Sequence, residues 1–189
     1  MASVVITGDT SGAITLAAPA TAGTNTITLP ANTGTMLTTA STFAGTGPAF
    51  SASKSTNQTI TSSFTFTKVT FDTEDFDTNS NFASSTFTPT VAGYYIISCT
   101  LTFEALIAQN NIMHAAIYKN GVSYRQVYGL YGPTNGMSIS HRIGANGSAV
   151  IYCNGTTDYI EIYAYQTYGA SGAQVNSNAG FSGCLVRAA

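Results

Sequence analysis

Four of the chain's eight acidic residues fall in one short run, Asp72, Glu74, Asp75 and Asp77, with Asn79 and Asn81 just beyond. Clustered oxygen ligands suit a hard cation, so Ca2+ binding is one chemistry this run can support. The spacing lacks the central glycine and terminal glutamate of an EF-hand loop, and a solvated loop between strands is the plainer expectation. Paired carboxylates also serve glycoside hydrolysis, but nothing in the sequence sets two of them across a cleft. His114 and His141 are the only histidines. Neither belongs to an H-x-H, H-E-x-x-H or Cys-His spacing, so both are expected to be ordinary strand residues. Cys99, Cys153 and Cys184 are odd in number and form no C-x-x-C, which argues against a disulfide framework or a zinc site. Buried thiols acting as small hydrophobes are expected at all three. There is no G-x-S-x-G elbow and no phosphate-cradling glycine loop ahead of a helix. The expectation is a protein that is not an enzyme, with Ca2+ as its one candidate cofactor.

Tyrosine is the second residue type with chemistry to offer. The segments YRQVYGLY (124–131) and YAYQTY (163–168) are rich in it. Each ring supplies apolar area and one hydrogen-bonding handle, which suits sugars and protein partners. Tyr159, Tyr163 and Tyr165 alternate along one expected strand and are candidates for an interface stripe. Tyr124 and Tyr128 are candidates for recognition. For the first three the competing reading is ordinary sandwich residues with exposed hydroxyls; for the two Tyr-rich segments it is core plus an interface between copies.

Elements must place these groups, and the composition says which kind. The chain has 189 residues, enough for one moderate domain and an arm. Charged residues are 7%, far below the usual quarter, while 44% are hydrophobic. This excludes charge-rich disorder and fits a β-rich chain whose polar surface is built of hydroxyls and amides. Its six basic residues, Lys54, Lys68, Lys119, Arg125, Arg142 and Arg187, are scattered singly, so no nucleic-acid footprint is expected. No apolar run reaches the length of a membrane helix. MASVVITGD lacks a basic n-region followed by an apolar h-region, so no secretory signal is expected.

Two textures divide the chain. Residues 1–46 contain one aromatic, Phe43, and read as short Thr/Val/Ile strands broken by turns. Such strands cannot bury a core alone and need partners, most simply the same segment of neighbouring subunits. From Gly47 the chain is aromatic and dense in strand patterns. PAFSASKS (48–55) reads as a strand. TFTKVTFD (65–72) alternates, with Val69 and Phe71 on one face. Tyr95, Ile97, Cys99, Leu101 and Phe103 form a period-2 core face. IMHAAIYKNGVSYRQVY (112–128) reads as a hairpin turning at Asn120-Gly121. Further strands are expected over 137–143, 149–153, 159–166 and 181–187, with turns at Gly132-Pro133, Asn146-Gly147 and Asn154-Gly155. Eight to ten strands and no helical period indicate an all-β sandwich or jelly roll.

FTPTVAGYYIIS (87–98) resembles the signature segment of the C1q/TNF-like jelly-roll domains. Other pieces match in order. Pro48-Ala49-Phe50-Ser51-Ala52 matches the opening strand, Val69, Phe71 and Asp72 the second, and Tyr118-Lys119-Asn120-Gly121 the hairpin. Gly155, Asp158, Ile160 and Ile162 resemble a later strand, with two extra residues between Gly and Asp. Phe181, Ser182, Gly183 and Leu185 match the closing strand. The resemblance covers about residues 47–186. The phrase SGAITLAAPATAGTNTITLPANTGTMLTT (11–39) is similar to segments at the start of tailed-phage fibre and appendage proteins.

Together these resemblances imply a trimeric C1q/TNF-like jelly-roll knob at 47–189. An extended β-rich arm at 1–46 would serve for trimerisation and virion attachment. The implied setting is a bacteriophage virion, assembled in the host cytoplasm. There the chain is a tail fibre or spike, or a capsid decoration or cement protein. Implied partners are two further copies, other virion proteins through residues 1–46, and a host-surface glycan or protein, with no nucleic acid and no membrane. The alternative is a non-viral C1q-like secreted adhesin or glycan-binding module.

Overall fold

Phe87 is fully buried, and Phe50 stacks on it at 4.3 Å between ring centroids. Phe50 also meets Phe82 at 5.0 Å and Phe181 at 4.8 Å, and Tyr95 meets Phe87 at 5.6 Å. Residues far apart in sequence thus make one aromatic centre, and aromatic pairs of this kind add stabilisation beyond their buried area. The strands that bring them together are all antiparallel. The computed structural model describes residues 3–7, 11, 13–17, 47–61, 63–107, 112–131, 139–167 and 173–189. There is no helix among them.

The chain divides into two compact units, Met1–Thr38 and Thr39–Ala189. In the first, β1 (Ser3–Thr7) pairs with β2 (Ala13–Ala17), with Ser3 opposite Ala17 and Thr7 opposite Ala13. Val5 and Ile6 lie on opposite faces of this ribbon and both are exposed.

The second unit is a β-sandwich. Its strands are β3 (Ala49–Ser53), β4 (Gln58–Ile60), β5 (Thr67–Lys68), β6 (Thr73–Asp77), β7 (Phe82–Ala83) and β8 (Thr86–Phe87). They continue as β9 (Gly93–Ile107), β10 (Ile112–Lys119), β11 (Val122–Tyr131), β12 (Ile139–Cys153), β13 (Ile160–Gln166), β14 (Ala173–Val175) and β15 (Gly180–Ala188). One sheet runs β11-β10-β13-β8-β7, with β5 also on β13. The other runs β4-β14-β9-β15-β3-β6, with β12 along the second edge of β9. From β9 onward the chain passes repeatedly between the two sheets. Ala49, the start of β9 and the C-terminal end of β15 lie at one end, because Cys184 pairs with Ala49 and Ala188 with Gly93. We call this end the base.

The alternation expected on β9 is present: Tyr95, Ile97, Cys99, Leu101 and Phe103 are all buried. Val69 and Phe71 are buried together as expected, but only Thr67 and Lys68 of that segment enter a ladder. Asn120 and Gly121 both have positive φ, 53° and 76°, which is the mirror-image turn that suits a two-residue hairpin. Asn146-Gly147 is not a turn. It continues β12, with Asn146 opposite Thr100 and Gly147 opposite Cys99. The glycine is there for packing: a Cβ on Gly147 would fall 2.7 Å from Val127 Cγ2. Gly132-Pro133 lies outside the described residues. Cys99 and Cys153 are buried, and burial pushes both thiols up to about 11. Cys184 differs from expectation: it faces outward on β15 and is exposed.

Candidate functional site

The acidic run forms no loop. Residues 73–77 are β6, the edge strand beside β3. A register shift at Asp75 interrupts its pairing with β3, and the carboxylates are tied to separate partners. Asp72 accepts from the Ser55 backbone N–H at 2.7 Å, and this bond holds its carboxyl below the ordinary value. Asp75 accepts from Ser51 and Ser53, and Asp77 from the Phe82 N–H at 2.6 Å. Glu74 is exposed. Among the described residues no group of three or more His, Cys, Asp or Glu side chains is placed to hold a metal ion. Charges along an exposed edge discourage sheet-to-sheet pairing with another molecule.

The tyrosines separate into different places. Tyr163 and Tyr165 stand on the outer face of the six-stranded sheet. Tyr163 stacks on Tyr118 at 4.0 Å, and Tyr165 lies between Phe66 at 5.0 Å and His114 at 5.3 Å. Phe66 belongs to the segment before β5, which straps across these rings. Burial raises the Tyr163 and Tyr118 hydroxyls and lowers the His114 imidazole. Beside them Lys68 pairs with Glu161 at 2.7 Å, and Thr86 and Tyr163 donate to the same carboxylate. This is a packed aromatic ladder and not an open stripe. Tyr159 precedes β13, and its N–H donates to Asn120 Oδ1 at 2.9 Å. Tyr124 is exposed on β11, with its hydroxyl donating to the Val150 carbonyl at 3.3 Å. Tyr128 sits on β11 opposite His114; its side chain, like that of His141 on β12, lies outside the described residues.

The larger exposed feature is the outer face of the seven-stranded sheet. Register arranges it in rungs. At the base, Tyr94 of β9 faces Tyr152 of β12, with ring centroids 5.5 Å apart. The next rung runs Ala49, Cys184, Ile96 and Val150 across β3, β15, β9 and β12. Above it run Ser51, Ser182, Ser98 and Ser148, then Ser53, Gly180, Thr100 and Asn146. The face is therefore apolar in its lower half and hydroxyl-lined in its upper half. Val150 is 55% exposed, Val186 51%, Tyr94 45%, Tyr152 42% and Ile96 38%. Residue-by-residue reading missed this patch, although one signal was visible. Tyr94-Tyr95-Ile96-Ile97 is apolar without alternation, the mark of a strand with apolar side chains on both faces.

No protein-family model matches the chain. No curated protein matches it either.

Proposed function

We propose that the chain is a structural protein of a bacteriophage virion: a trimeric C1q/TNF-like jelly-roll knob on a tail fibre or spike, or on the capsid as a decoration protein. The observation that carries this reading is the apolar half of the outer face. Tyr94, Ile96, Val150, Tyr152 and Val186 stand together in water on an isolated copy. Contiguous exposed apolar side chains mark association surfaces, and packing against two further copies removes them from water. The sheet orders support the jelly-roll form, since β12-β9-β15-β3-β6 opposes β11-β10-β13-β8-β7 with the chain alternating between them. This reading puts the trimer surface on this face, with the stripe of Tyr159, Tyr163 and Tyr165 as the other candidate.

The virion setting is supported by the phage-appendage phrasing of residues 11–39. An arm at 1–46 that pairs with its copies and docks on other virion proteins also accounts for the exposed Val5 and Ile6. The knob at 47–189 is the part that meets a host-surface glycan or protein. Removing residues 1–46 is the test of the arm. The expected outcome is a knob that still melts cooperatively but no longer sediments with particles. A truncated knob that still decorates particles contradicts the arm's role, and purified particles that lack the chain by mass spectrometry contradict the setting.

A further inference from the structure

We propose that the hydroxyl-lined half of the same face is a binding groove for a neutral saccharide. The groove has a volume of about 400 Å3 and crosses β3, β15 and β9, between Asp75 on one side and the turn at Ser177 and Asn178 on the other. That volume falls within the range of small-ligand clefts, roughly 300–1,000 Å3. The proposal rests on the groove alone and does not need the virion reading.

Register builds the floor. Ser51, Ser182 and Ser98 lie side by side on three adjacent strands, and the row above is Ser53, Gly180 and Thr100. Adjacent strands are about 4.8 Å apart, so the hydroxyls form an even array. Gly180 keeps the floor open: a Cβ there would meet only the Ala52 carbonyl oxygen, at 3.9 Å. Ser51 and Ser53 donate to the two oxygens of Asp75 at 2.8 and 3.2 Å. With those protons committed, both hydroxyls and the carboxylate meet the groove as acceptors, while Ser98, Thr100 and Ser182 each both donate and accept.

Two features select the ligand. An array of hydroxyls with fixed acceptors matches a neutral sugar, whose rim carries hydroxyls that donate and accept. The one cation on the lining, Lys54, turns its Nζ away to the Thr70 carbonyl at 2.6 Å and the Thr70 hydroxyl at 3.1 Å. The charge facing the groove is that of Asp75, which repels anionic sugars, phosphate and sulfate.

The test is titration calorimetry or saturation-transfer NMR of the full chain with D-glucose, D-galactose, D-mannose, N-acetylglucosamine and N-acetylgalactosamine, with N-acetylneuraminic acid as the anionic control. At least one neutral sugar is expected to bind. Gly180→Val fills the floor without a clash and is expected to abolish binding at an unchanged melting temperature. Asp75→Asn is expected to weaken binding at least tenfold, and it carries the test should Gly180→Val fold poorly. The proposal is overturned by the absence of binding to all five neutral sugars, by full binding in these variants, or by equal binding of the anionic sugar.

Discussion

Asp158 ties three segments together at the base. Its carboxylate accepts from Asn120 Nδ2 at 2.7 Å and from the Asn154 N–H at 3.0 Å, and pairs with Lys119 Nζ at 2.9 Å. The same Asn120 accepts from the Tyr159 N–H, so the β10–β11 hairpin, the turn after β12 and the start of β13 share one polar knot. The Asn120 bond, then the Lys119 bond, holds the Asp158 carboxyl below its ordinary 3.8, with burial opposing. A carboxyl depressed in the folded state stabilises fully above its unfolded pKa, and that contribution is lost as pH falls through the folded value. Asp158→Asn is therefore expected to lose about 2 kcal/mol at pH 7, the scale of a hydrogen bond to a charged group. Its deficit relative to the parent should shrink below about pH 4. Thermal melts at pH 7 and at pH 2.5 check this; a deficit that grows on acidification would refute the assignment.

At the scale of the element, β15 carries two contrasting glycines. Gly183 points into the core, where a Cβ would fall 2.7 Å from Ile97 Cδ1 and 3.0 Å from Phe50 Cε1. Gly180 points out to the groove. Gly183→Val is expected to destabilise by about 1–3 kcal/mol through overpacking, while Gly180→Val leaves the denaturation midpoint nearly unchanged. Equal midpoints for the two would contradict the register of β15. The inward side of β9 was legible because period-2 alternation is a local property, and so was the Asn120-Gly121 turn. Asn146-Gly147 has the same composition yet stays extended, because β9 supplies a 15-residue partner along which β12 continues. The row of serines was not legible: each serine is two residues from its same-face neighbour, but their alignment exists only once four strands have chosen a register. The acidic run read as a solvated loop between strands, with Ca2+ binding the lesser reading, because type and spacing carry no information about strand pairing; β3 takes most of it as an edge strand.

At the scale of the molecule, the two sheets meet different surroundings. The six-stranded sheet covers the outer face of β10 and β13 with its own strap, Phe66 over Tyr165 and Tyr118, and with the Lys68–Glu161 pair. The seven-stranded sheet has no such cover over its basal rungs among the described residues, and that difference is what supports the proposed association surface. Ile96→Lys or Val150→Lys places a charge in the contact and should dissociate the assembly without unfolding the sandwich, since both side chains already face water in one copy. The most direct measurement is the molar mass of the full chain by size-exclusion chromatography with light scattering at micromolar concentration. The expected mass is three times the 19.6 kDa of one chain, falling to that of one chain in Val150→Lys. A parent that elutes as a monomer, or a trimer that the Val150→Lys and Ile96→Lys variants leave intact, would contradict the account.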